Sequence, residues 1–181
     1  MKNAIRFLPV NFLFFILLLF TTTSFCKDNV EIAGNIVLVM IPSSAYVITF
    51  SKDDKEGKTQ FYKYFFTNLG VTFALKYAIN KPRPEDKGSH SFPSGHTSTS
   101  FQSATFLYKR YGWKYGIPAY LAAGFVGWSR MKSMQHDWAD VTAGGALGIL
   151  CGYYFTQPFD NVAISPIIGG GLYGLQATMP W

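Results

Sequence analysis

Charge is scarce in this chain. Only 14% of its 181 residues are charged, against about a quarter in ordinary soluble domains, while aromatics reach 18%. So apolar a composition excludes intrinsic disorder and is unusual for a freely soluble enzyme. Cysteine is nearly absent: Cys26 and Cys151 are the two. If the N-terminal segment holding Cys26 is removed, no intrachain disulfide framework is possible. There are no repeats and no low-complexity tracts. A net charge of +6 without a basic stripe interleaved with aromatics argues against nucleic-acid binding. Mean hydropathy of +0.12 stops short of a bundle fully embedded in lipid. A single membrane-associated domain is the class these numbers leave.

What is present begins at the N-terminus. Lys2 and Arg6 precede an apolar run from Phe7 to Phe20, then polar Thr21–Ser24. That order describes a secretory signal peptide over residues 1–26, with an uncleaved anchor as its rival. Residues 27–156 read as an all-α domain, a bundle of about five to six helices. The helices expected are Ala33–Ser51, with a kink at Pro42, Gln60–Asn80, Thr97–Tyr111, Ile117–Trp128 and the Gly- and Ala-rich Val141–Phe155. Residues 157–181 read as a hairpin or extended tail. "KDDKEGK" at 52–58 is expected to be a solvated turn. Counting helices puts 52–58 and 109–114, rich in Lys and Arg, on one side and 80–96 and 129–140 on the other. By the positive-inside tendency the second side faces the periplasm or exterior.

The chemistry gathers on that second side. All three histidines lie between residues 90 and 136, with Arg83, Arg130 and the stretch "SRMKSMQHDWAD" nearby, and Lys76 ends the helix that feeds the region. Lys76, Arg83 and Arg130 could neutralise a phosphoryl group, since guanidinium forks match its oxygens. Pro82 and Pro84 hold Arg83 in extended backbone. In "PSGH", Gly95 lets the backbone approach a ligand and Ser94 can cap a helix whose first N–H groups attract an anion. His136 and Asp140 are four apart, on one face if helical, so the carboxylate could hold one ring nitrogen and free the other. Spacing alone leaves open which of His96 and His136 attacks.

"KYAINKPRP" (76–84), "PSGH" (93–96) and "SRMKSMQHDWAD" (129–140) match K-x6-R-P, P-S-G-H and S-R-x5-H-x3-D. Together they resemble the three-part signature of the type 2 phosphatidic acid phosphatase and vanadium haloperoxidase superfamily, over roughly residues 60–155. The resemblance implies a helical bundle with its site at one end and a phosphohistidine intermediate formed without metal or other cofactor. It further implies His136 as nucleophile, Asp140 as its orienting partner and His96 as general acid. Lys76, Arg83, Ser94, Gly95 and Arg130 would bind the phosphate.

The function expected is hydrolysis of a lipid phosphate monoester or diphosphate at the cell envelope, with the membrane as the other partner. The alternative is a soluble periplasmic acid phosphatase acting on small esters. A vanadate haloperoxidase is disfavoured by the short chain, and a metal-binding envelope protein by the absence of tight ligand spacing. Lys81, Lys87 and Lys132 read as ordinary loop cations, Asp137 as an exposed neighbour and His90 as a loop residue near the mouth.

Overall fold

A computed structural model describes residues 29–159, 163–169 and 172–178. The signal peptide or anchor expected over residues 1–26 lies outside the described residues. Among the described residues five α-helices follow in order: α1 (Asn29–Ser51), α2 (Lys55–Ile79), α3 (Gly95–Tyr111), α4 (Trp113–Lys132) and α5 (Trp138–Phe155). They form the all-α bundle expected. An antiparallel hairpin closes the chain, with β1 (Ala163–Gly169) paired to β2 (Leu172–Thr178) from Ala163 opposite Thr178 to Gly169 opposite Leu172. The helix continues through Pro42.

Local chemistry sets the boundaries. Asp54 caps α2 by accepting the Gly57 N–H at 2.8 Å, and Asn80 ends it in the left-handed region at φ 46°. Ser94 caps α3 as its residue type predicts, taking the Thr97 amide and hydroxyl. Gly112, at φ 88°, turns the chain from α3 into α4.

The bundle is built around its most polar helix. α3 packs against all four others, and Thr97, Ser98, Ser100, Ser103 and Thr105 on it are buried. Small residues let α5 approach closely: Gly144, Gly148 and Gly152 lie against the α3 backbone at Ser94, Ser98 and Gln102. Ile36, Met40, Phe66, Phe73, Leu121, Trp128 and Leu150 meanwhile stand exposed on the outside. An apolar cluster that includes Leu38, Phe61, Phe106 and Val126 shares the interior with the α3 hydroxyls, but so many large apolar side chains outside are unusual for a water-soluble bundle. Among the described residues, α1 is the helix long and apolar enough to cross a membrane.

One end of the bundle corrects the sequence reading. Asp54, expected in a solvated turn, is buried and paired in a fork with Arg110, at 2.5 Å for each bond. Tyr111 donates to the same carboxylate at 2.7 Å, and Arg110 also reaches the Gln157 carbonyl at 2.8 Å. The cap of α2 is thereby tied to the end of α3 and to the exit of α5. A carboxylate and a guanidinium 56 residues apart satisfy each other where neither could be buried alone.

Candidate active site

At the opposite end, the 80–94 loop and the short 133–137 link meet above the start of α3. Arg83 stands in extended backbone at φ −81° and ψ 154°, as the proline that follows it favours. Its amide is anchored to the Gly88 carbonyl at 2.8 Å. Its Nη1 reaches the Gln135 carbonyl at 3.1 Å and the Gln135 Oε1 at 3.2 Å. Lys76, in the last turn of α2, donates its ammonium to the carbonyls of His90 (2.8 Å) and Ser91 (3.3 Å). Burial, and then the nearby Arg83, push the Lys76 pKa down to about 8.

Arg130 is buried in the last turn of α4, and α1 holds it. Its Nη1 donates to Asn35 Oδ1 at 3.0 Å and its Nη2 to the Glu31 carbonyl at 2.9 Å. Gly34 leaves the room for this: a Cβ there would lie 2.0 Å from Ser129 Oγ and 2.6 Å from Arg130 Nη2. Sequence reasoning missed Asn35 and Glu31, because nothing in the spacing of α1 refers to a residue 95 positions away. Asn35→Ala should therefore loosen this guanidinium and lower kcat/KM on a phosphate ester roughly tenfold, the scale of one hydrogen bond to a charged group. Steady-state kinetics check it; an unchanged kcat/KM would show that Arg130 needs no support from α1.

The histidines sit among these cations. His96 lies in the first turn of α3, and its pKa is held well below the usual range by burial, then by Arg130, His136, Arg83 and Lys76. His136 is buried two residues before α5. Burial, then Arg83 and Lys76, push its pKa down to about 3 against the opposing pull of Asp140, so it is a neutral imidazole at neutral pH. Its Nδ1 lies 3.4 Å from Asp140 Oδ2 and 3.2 Å from Ser91 Oγ. Burial and the same cations likewise favour the neutral form of His96. A phosphate dianion bound among the same cations offsets them and favours the protonated ring.

The His136–Asp140 pairing does not arise as the spacing suggested. His136 is not helical. Asp137 caps α5, its carboxylate accepting the Asp140 N–H at 3.0 Å while Asp140 Oδ2 accepts the Asp137 N–H at 3.2 Å. This reciprocal cap aims the Asp140 carboxylate back toward His136. Lys81 and Asp137, read as background, both belong here: Lys81 bridges Asp137 and Asp140 Oδ1, the latter at 2.8 Å. Lys81 and Ser91 hold the Asp140 carboxyl below its ordinary range against the effect of burial. The Ser94 amide donates to the Asp140 carbonyl at 2.9 Å, joining "PSGH" to α5. A Cβ on Gly95 would lie 3.8 Å from Lys76 Cε, so this glycine faces the space beside the lysine. His90 packs at 4.7 Å on the Tyr77 ring, with Nδ1 3.0 Å from the Lys76 carbonyl. The arrangement thus gathers the charges of Lys76, Arg83 and Arg130 around His96, with the neutral His136 imidazole beside it.

The family model of the PAP2 superfamily matches residues 58–163. The chain belongs to the PAP2 superfamily. Over 86 residues it is 40% identical to the lipid A 1-phosphatase of Porphyromonas gingivalis, covering 46% of this chain and 19% of that protein. Over 134 residues it is 28% identical to the lipid A 4'-phosphatase of Helicobacter pylori, covering 68% of each. The chain therefore spans about a fifth of the first relative's length and about two thirds of the second's. These relatives are phosphatases, hydrolases of phosphate esters. Among solved structures, Aquifex aeolicus LpxE shares the fold with a TM-score of 0.61 at 20% identity, over 79% of this chain and 93% of that one. A transmembrane PAP2-type phosphatidylglycerolphosphate phosphatase from Bacillus subtilis gives 0.50 at 22% identity, over 81% and 93%. Helix α1, which holds Arg130, lies outside the matched residues 58–163.

Proposed function

We propose that this PAP2 protein hydrolyses a lipid phosphate monoester or diphosphate through a phosphohistidine on His136. The observation that carries the reading is the buried, neutral His136 imidazole under the charges of Lys76 and Arg83, with Arg130 acting on the neighbouring His96. The His136 Nε2 lone pair attacks phosphorus in line, the bond to the leaving oxygen breaks, and His96 gives that oxygen its proton. Water then attacks the phosphohistidine, His96 takes the water's proton, and inorganic phosphate leaves with His136 restored. Lys76, Arg83 and Arg130, with the N–H groups of the Ser94–Gly95 helix start, stabilise charge on the equatorial oxygens.

The lipid assignment is supported by the exposed apolar side chains around the bundle and by the lipid A phosphatases among the relatives. An acyl chain could lie along that exterior while its headgroup enters at the α3 start. Lys52, Lys55, Lys58 and Lys114 lie at the opposite end, and by the positive-inside tendency this supports a site on the periplasmic or outer face of the cell envelope. The test is a panel of phosphatidate, prenyl diphosphate, lipid A and small soluble esters, given to the detergent-solubilised chain with EDTA present. Turnover of a lipid phosphate at its EDTA-free rate, and inhibition by vanadate, are expected. Turnover of small esters alone would establish the soluble-ester alternative, and loss in EDTA would overturn the metal-independent mechanism.

A further inference from the structure

Ser91 stands outside the three motif segments, yet it contacts Lys76, Lys81, His136 and Asp140. It is fully buried. Its N–H donates to the Lys81 carbonyl at 2.8 Å and its carbonyl accepts from Lys76 at 3.3 Å, so both sides of its Cα are anchored. Its Oγ donates in a short hydrogen bond to Asp140 Oδ2 and lies 3.2 Å from His136 Nδ1.

We propose that Ser91 is a positioning residue that sets the tautomer of His136. This rests on the reading of His136 as the nucleophile. A hydroxyl has one proton. Asp140 is surrounded by donors, with Lys81 on Oδ1 and the Asp137 amide on Oδ2, so its carboxylate accepts and has nothing to donate. The Ser91 proton therefore goes to Asp140, leaving on Oγ only lone pairs for His136. Nδ1 can face those lone pairs only as N–H. The ring's lone pair is then on Nε2, the nitrogen turned away from Asp140 and Ser91. The direct His136–Asp140 separation of 3.4 Å is the longer of the two contacts to Nδ1, so the serine carries the link between carboxylate and ring. Lys81, by pairing with Oδ1, keeps Asp140 in its accepting form.

The test begins with ¹⁵N-histidine NMR of the full chain in detergent at neutral pH, His136 being assigned with a His136→Gln variant. Wild-type His136 is expected to carry its proton on Nδ1, and Ser91→Ala to give a mixture of the two neutral tautomers. In parallel, Ser91→Ala should lower kcat on a lipid phosphate roughly 10- to 100-fold, a fraction of a general-base contribution, with KM within about twofold. Ser91→Thr, which keeps the hydroxyl, should restore most of the loss. Wild-type His136 protonated on Nε2 overturns the proposal without any variant. So does a Ser91→Ala protein whose His136 remains wholly on Nδ1, or whose kcat is that of wild type. If the wild-type chain turns over no phosphate ester, the nucleophile reading fails, while the tautomer measurement still decides what Ser91 does to the ring.

Discussion

His136→Ala is expected to abolish lipid phosphate turnover, with kcat falling at least about 10⁴-fold while the bundle stays folded. The size follows from the chemistry: without the imidazole there is no nitrogen to accept the phosphoryl group, and the remaining cations can only bind the ester. The fold should survive because the lost ring is neutral and its main contacts are to Ser91 and Asp140, which keep Lys81 and each other as partners. Two measurements check this: turnover on phosphatidate or lipid A beside a thermal unfolding curve, and acid-quench trapping of phosphoenzyme, which should be absent in the variant. Full activity in His136→Ala would end the phosphohistidine reading. A lost fold, with no native-like protein to assay, would show that His136 is structural.

The second large effect lies in the packing that seats α3. A Cβ on Gly148 would fall 2.3 Å from the Ser98 carbonyl oxygen and 2.9 Å from the Gln102 amide nitrogen. Both are backbone atoms of the central helix, so no rotamer change relieves the clash. Gly148→Ala must push α5 and α3 apart, at about 3 kcal/mol or more. The same displacement separates the first turn of α3, with Ser94 and His96, from Asp140 on α5. Since about 1 Å of misplacement can cost a hundredfold, activity should fall together with stability. Gly124, on the exposed face of α4, is the control: a Cβ there meets nothing within 4 Å. Gly124→Ala should be neutral or stabilising by up to about 1 kcal/mol, because alanine is the better helix former. Thermal unfolding of the two variants in one detergent separates the cases. Equal melting temperatures would mean that α5 does not need its glycines to reach α3.

The residues of the candidate site could be named in advance because motif and backbone chemistry are local. Pro84 favours the extended backbone of Arg83 before it, Ser94 caps the helix it begins, and the long apolar runs become helices whose alternation brings 80–96 and 129–140 to one end. The His136–Asp140 spacing pointed to the right pair for an incomplete reason, since the reciprocal cap of Asp137 and Asp140 aims the carboxylate before the helix begins. Asp54 was misread for a similar reason. A charged residue in "KDDKEGK" looks solvated until its guanidinium partner on another helix is known.

By itself, then, the sequence determined the helices, the placement of the chemistry at one end and the identity of the cations and histidines. Each depends on contacts within a few residues or on a motif. Only the tertiary structure decided that polar α3 is the central helix, that α1 grips Arg130, and that Lys81 and Ser91 complete Asp140. Those partners stand 95, 59 and 49 residues apart along the chain. No local period encodes such a pairing: it exists only once the helices have packed and a buried donor has had to find its acceptor.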